Sequence, residues 1–251
     1  MITLQEICRY LDELLTISSF NDFAPNGLQV EGKAQIGSIA TAVTASLKTL
    51  ETAVARGVDL LIVHHGLFWN KDSFVIEGVK RKKLQLLLAQ QMSLLAYHLP
   101  LDAHQVFGNN WRAATEMGWE DLQPFLVANG IPIGVRGRVA RLAREELKHK
   151  LEAYYGHCAH VAFGGPEVIE TLALVSGGAH RSLPDAVRAG VDCFVTGSFD
   201  EPAWHQAFEE NINFFAMGHA ATEKIGPKAI GQQLSNVFHL PWQFIEDDNP
   251  F

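Results

Sequence analysis

The sequence predicts an α/β protein of two similar α/β lobes, each a mixed sheet flanked by helices, with a metal site in the cleft between them. Two observations predict the fold: apolar strand-like runs alternate with stretches of helical period, and the second half of the chain restates the order of the first. The metal site follows from what stands at the strand ends.

In chain order, Thr3 to Ile17 places Leu4, Ile7, Cys8, Leu11, Leu14 and Leu15 on one helical face. "NDFAPNGLQVEG" breaks that helix with Pro and Gly and reads as a polar loop. Ser38 to Ser46 is a buried strand, Leu47 to Arg56 a helix and Val58 to Val63 a strand. A helix around Val79 to Gln90, a strand from Ser93 to Tyr97 and a helix around Asn110 to Met117 follow. Strands joined through helices imply a parallel or mixed sheet.

The echo is visible in "IATAVTASLKTLETAVARGVDLLIVHH" beside "LALVSGGAHRSLPDAVRAGVDCFVTGS". Each is a strand, a helix containing Ala-Val, a Gly-Val-Asp turn and a second apolar strand. "LLAYHLPLDAH" and "FFAMGHAATEK" then each end a strand at a histidine followed by an acid. The first lobe is placed at residues 1–124 and the second at 125–251. The second includes a small α+β insertion at about 125–170, a segment that equally reads as the start of the second domain.

Across 251 residues, 20 Lys plus Arg stand against 28 Asp plus Glu, a formal net charge of −8 that excludes generic attraction to a phosphate backbone. The "KRKK" run at Lys80 to Lys83 reads as a solvated helix face. Cys8, Cys158 and Cys193 form no C-x-x-C pair, which fits a reducing, cytoplasmic compartment. No apolar run approaches the roughly 20 residues of a membrane span, and no membrane association is expected.

"VDLLIVHHGLFW" ends an apolar strand in two imidazoles, which a buried sheet does not need and a divalent cation does. Ligands collect beyond the carboxyl ends of strands in open α/β sheets, and three such ends carry metal-binding groups. They are His64 and His65; His98, Asp102 and His104 in the loop after Tyr97; and His219 with Glu223, which share a face if a helix has begun. Adjacent histidines diverge, so two neighbouring cations suit His64 and His65, with Asp102 and Glu223 supplying carboxylates. His149, His157, His180, His205 and His239 read as packed or solvated residues. "VSGGAH" reads as a tight turn that could also cradle an anion, and Cys193 as inert core. Phe68, Trp69, Phe199 and Trp204 could wall a pocket for a flat base. P-loop, G-x-S-x-G and H-E-x-x-H strings are missing.

"PNGLQVEG", "VHHGLFW", "AYHLPLDAH" with "GNN" after it, and "GHAATEKIGPKAIGQQL" together resemble the Nif-three-like family, the GTP cyclohydrolase type 2 homologues, especially the short YbgI-type bacterial branch. The resemblance implies a two-lobed protomer in a toroidal homohexamer of three dimers, with two divalent metal ions per subunit. It implies His64 and Asp102 on one metal, His65 and His219 on the other, and Glu223 bridging both. Zn, Mn, Fe, Co, Ni or Mg would each suit such nitrogen and oxygen ligands.

The expected activity is a metal-dependent hydrolase acting through a metal-bridging hydroxide on a small-molecule substrate: a nucleotide, related heterocycle or phosphoester. His98 is the candidate proton shuttle, and Asn26 and Gln29 are candidate contacts to substrate or to the ligands. The alternatives are a non-enzymatic metal-binding ring that serves as a scaffold and, last, nucleic acid threaded through such a ring.

Overall fold

The computed structural model describes residues 2–251 and divides into two compact units. The first runs up to Leu101 and takes in Gly226–Asp248; the second comprises Asp102–Ile225 and Asn249–Phe251. The division expected at residue 124/125 falls inside a strand of the second unit.

In the first unit, β1 (Ile2–Thr3) leads into α1 (Leu4–Leu14), which buries Leu4, Ile7 and Leu11 on the face the sequence predicts. A capping box starts it: Glu6 N–H donates to Thr3 Oγ1 at 3.2 Å, and Thr3 N–H donates to the Glu6 carboxylate at 2.8 Å. The helix stops short of Ile17 because Thr16 turns to φ 48°. Thr3→Ala is expected to cost about 1 kcal/mol, read as a lowered denaturation midpoint with unchanged slope.

β2 (Gly27–Val30) lies in the stretch expected to be a polar loop. β3 (Gln35–Ile36) pairs with β1, and β4 (Ile39–Thr44) begins the main sheet. α2 (Leu47–Ala55), capped by Ser46, crosses to β5 (Leu60–His65), and α3 (Gly78–Gln90) crosses to β6 (Ser93–Ala96). β4, β5 and β6 are parallel, and β2 adds antiparallel to β6. The parallel strands are buried almost throughout, which is why they read as unbroken apolar runs. His64 and His65, read from the sequence as ending this strand, are its last residues, and Thr44 on β4 pairs with His65. α4 (Leu99–Ala103) follows β6 at once, so Asp102 sits on a short helix and not in a loop.

The second unit holds α5 (Asn109–Glu116) and a six-stranded sheet. β7 (Glu120–Ala128) and β8 (Ile131–Ala143) form a hairpin whose two turn residues, Asn129 and Gly130, both have positive φ, the conformation a tight hairpin turn requires. α6 (Arg144–Tyr155) and β9 (His160–Phe163) precede β10 (Val168–Val175). α7 (Leu183–Arg188), β11 (Cys193–Thr196), α8 (Glu201–Glu209), β12 (Asn213–Ala216) and α9 (His219–Thr222) complete it. The strand order is β7-β8-β10-β11-β12-β9, with β10, β11 and β12 parallel. Segment 125–170 therefore contributes strands to both edges of this one sheet.

Alternate residues of the central strands fill two cores. Leu172, Leu174, Cys193, Val195 and Phe215 pack on one face; Ala173, Val175, Phe194, Phe214 and Ala216 pack on the other. Each large apolar side chain so buried stabilises the unit by about 1.5–3 kcal/mol.

The chain returns to the first unit as α10 (Ile225–Phe238) and β13 (Trp242–Phe244), which pairs parallel with β4 and makes the sheet order β13-β4-β5-β6-β2. Both units repeat the same backbone details. Gly57 and Gly190 turn at φ 67° and 66°, and the next Asp carbonyls, of Asp59 and Asp192, accept from Ser93 N–H and Asn213 N–H at 2.9 and 3.0 Å. Among the described residues, no helix is long and apolar enough to cross a membrane.

Candidate metal centre

In the first unit the parallel register aligns Val63 with Ala96, so the residues that follow each of them stand at the same carboxyl edge of the sheet. His64 is fully buried, and its Nδ1 lies 3.0 Å from the Tyr97 carbonyl oxygen, which can only accept, so Nδ1 carries the proton. His65 Nδ1 lies 3.2 Å from Thr44 Oγ1 on the neighbouring strand. His98 Nδ1 lies 2.8 Å from Asp22 Oδ1. Ring centroids are 4.7 Å apart for His64 and His65 and 5.0 Å for His64 and His98. One nitrogen from each of the three rings falls within 4.8 Å of the others, a spacing that can hold a cation.

Around this trio the "PNGLQV" segment acts as a frame. Asn26 accepts from His98 N–H at 2.7 Å and donates to Asp22 Oδ2 at 2.9 Å. Gln29 accepts from Leu67 N–H at 2.8 Å and donates to the Pro25 carbonyl at 3.0 Å. A Cβ at Gly66 would meet the Gln29 amide, which packs directly against the chain after the histidine doublet. Burial pushes the Asp22 carboxyl up, but hydrogen bonds from His98, Asn26 and Leu99 outweigh it and hold the group below its ordinary range.

In the second unit Asp102 is buried, and its Oδ1 accepts from Asn109 Nδ2 at 2.8 Å and Ser176 Oγ at 3.0 Å. Asn110 links the same elements, donating to the Asp102 and Ile133 carbonyls and accepting from Ser176 N–H at 2.7 Å. α9 gives His219 and Glu223 one face, as the sequence spacing predicts, with His219 Nε2 3.3 Å from Glu223 Oε1. His219 Nδ1 lies 3.0 Å from Ser198 Oγ. Carboxylate oxygens of Asp102 and Glu223 stand within 4.8 Å of each other.

Gly177, between β10 and α7, adopts φ 65°, and a Cβ there would strike Glu223 Oε1. The "VSGGAH" turn thus makes room for a carboxylate, and Thr222 Oγ1 accepts Gly177 N–H at 3.0 Å to hold the turn in place.

In the first unit His64, His65 and His98 form a group that could hold a cation, and in the second Asp102, His219 and Glu223 are residues of such groups. His104, expected near Asp102, instead accepts from Val106 and Phe107 N–H through Nδ1. His149, His180 and His205 face surface carboxylates, and His157 bridges the Cys158 and Pro250 carbonyls. Phe199 and Trp204 line a cavity of about 500 Å³. Phe68 packs on the first unit's core, and Trp69 meets the His98 ring edge-on at 5.2 Å. Cys193 is core, and the three cysteines are free thiols. Asp22, Asn109, Ser176 and Ser198 escaped the sequence reading. Their stretches drew notice as a loop, a turn, a strand end and the "GNN" string, but no period or spacing in them marked a partner for His98, Asp102 or His219.

The donor set is nitrogen and carboxylate oxygen without thiolate, and the engaged Nδ1 atoms together with the glycine-lined recess at Glu223 fit divalent cations.

Residues 2–250 match the family model described as Duf34/NIF3 (NGG1p interacting factor 3). A Chlamydia pneumoniae protein named "GTP cyclohydrolase 1 type 2 homolog" is 45% identical over 249 residues, 98% of each chain. A solved structure named protein ybgI, of unknown function, superposes at a TM-score of 0.94 with 38% identity over 100% of both chains. The crystal structure of TTHA1606 from Thermus thermophilus superposes at 0.92 with 37% identity, again over 100% of both.

Proposed function

The chain belongs to the Duf34/NIF3 family, and from that premise we propose that it is a dinuclear metal-dependent hydrolase of a nucleotide, a related heterocycle or a phosphoester. His64 and Asp102 would hold one divalent cation, His65 and His219 the other, and Glu223 would bridge them. The ring hexamer of three dimers that the resemblance implies forms part of the same proposal.

One observation carries it: His64, His65 and His219 each have Nδ1 engaged by an oxygen, of Tyr97, Thr44 and Ser198, so that Nε2 is the nitrogen offered to a cation. Two divalent cations, when bound, supply Lewis acidity and a nucleophile drawn from water at neutral pH. The chain's own residues orient and neutralise. Asn109 and Ser176 fix the Asp102 carboxylate, the Gly177 turn seats Glu223, and burial of His64 and Glu223 keeps bulk water from competing. His98, beside the histidine doublet, is the group placed to exchange a hydrogen bond with substrate.

The test is a panel of nucleotides and phosphoesters incubated with cation-loaded protein, chelator-treated protein and Asp102→Ala. Product formation is expected only in the first. Full loading with no turnover across the panel would instead support a non-enzymatic metal-binding scaffold.

A further inference from the structure

His98 is held more tightly than a solvent-facing imidazole needs to be. The Asp22 side chain is 2% exposed and receives four donors: Phe23 N–H at 2.6 Å and His98 Nδ1 at 2.8 Å on Oδ1, Asn26 Nδ2 and Leu99 N–H, both at 2.9 Å, on Oδ2. A carboxylate so surrounded acts only as an acceptor, so the shared proton belongs to His98 Nδ1. Asn26 takes the backbone N–H of the same residue. The 22–26 segment is in turn tied to the Trp69 segment, since Asn70 Nδ2 donates to the Asp22 carbonyl at 2.9 Å and Asn70 N–H to the Phe23 carbonyl at 2.8 Å. Asp22 at one ring nitrogen, Asn26 at the backbone and the Trp69 ring at 5.2 Å together leave His98 one orientation.

We propose that Asp22 is a positioning residue that fixes His98 as the Nδ1–H tautomer and so presents its Nε2 lone pair, as a hydrogen-bond acceptor, beside the His64–His65 pair. Asp22 acts through His98 and touches neither cation nor substrate. The purpose of the arrangement rests on the cation-binding proposal above; the tautomer itself does not. A carboxylate on the far nitrogen of an imidazole fixes its tautomer and ring orientation. Asp22→Asn keeps the size but introduces an NH₂ group against donors already there. Asp22→Glu keeps an acceptor-only group.

The experiment reads His98 directly, by long-range proton–nitrogen correlation of the metal-free full chain with labelled histidine, alongside Zn²⁺ affinity by competition titration. The wild type is expected to show protonated Nδ1 and bare Nε2 at His98. Asp22→Asn is expected to populate the opposite tautomer while keeping its Zn²⁺ ligands, with Asp22→Glu recovering the wild-type tautomer. A wild-type His98 protonated at Nε2 overturns the proposal, and this arm needs no variant to fold. So does an Asp22→Asn chain that keeps the wild-type tautomer, since a merely structural Asp22 would change the melting temperature alone. If the wild type takes up no Zn²⁺ while the tautomers behave as expected, the hydrolase proposal fails and the positioning role stands.

Discussion

Glu223→Gln is expected to weaken divalent-cation binding beyond the ~10–100-fold typical of a partner that only orients a ligand, and to leave at most one cation per chain. Glu223 is 3% exposed, its Oε1 lies 3.3 Å from His219 Nε2, and a carboxylate oxygen of Asp102 stands within 4.8 Å. Glutamine matches its shape but removes the charge on which a bridge between two cations depends. The same change removes one of two buried carboxylates that stand within 4.8 Å of each other, where like charges repel. The metal-free variant should therefore melt at or above the metal-free wild type, while the stabilisation that added cation gives the wild type should vanish. Metal content per chain and melting with and without chelator check both signs. Wild-type metal affinity in the variant would remove Glu223 from the ligand set.

The second large effect is expected from Gly177→Ala. Its φ of 65° costs an alanine on the order of 1–2 kcal/mol, and its Cβ would also strike Glu223 Oε1 and come within 3.2 Å of His219 Nε2. Backbone conformation and steric overlap act together at that one atom, so the variant should lose both stability and cation. Gly178→Ala is the matched control. Its nearest neighbours, His219 Cε1 and Nδ1, would lie at 3.4 and 3.7 Å, ordinary contact. Stability should change by less than about 0.5 kcal/mol there, with cation binding intact. Denaturation and metal titration of the two variants side by side separate a general loosening of the turn from displacement of a carboxylate.

Much of the fold was legible because parallel strands covered on both faces leave uninterrupted apolar runs, and because the Gly-Val-Asp turns mark where each run restarts. The histidine doublet and the i, i+4 pair of His219 and Glu223 were legible for a related reason: their spacing is local. β2 was not, since it is an edge strand of four residues entered through Pro25 and Gly27, and its signals are those of a turn. Asp102 was placed in a loop although Pro100 falls in the first turn of a helix, where proline is at home. The Asn129-Gly130 hairpin carried a readable signal that the apolar pattern around it outweighed. The return of α10 and β13 to the first unit carried none, because nothing in an amphipathic helix names the sheet it will cover. Asp22, Asn109, Ser176 and Ser198 belong with them. Each is an ordinary polar residue whose partner is fixed by tertiary structure alone.

The crossover topology of the second unit would also set when a cation could arrive. Asp102 and Glu223 lie at opposite ends of a segment that must first thread β10, α7, β11, α8 and β12 into parallel register, and pairings of such long sequence separation form late and slowly. Unlike a zinc finger, whose ligands sit close together and nucleate the fold around the ion, this chain brings its two carboxylates together only once the second unit has formed. Metal uptake should trail refolding in stopped-flow time courses, and chelator should leave the refolding rate untouched.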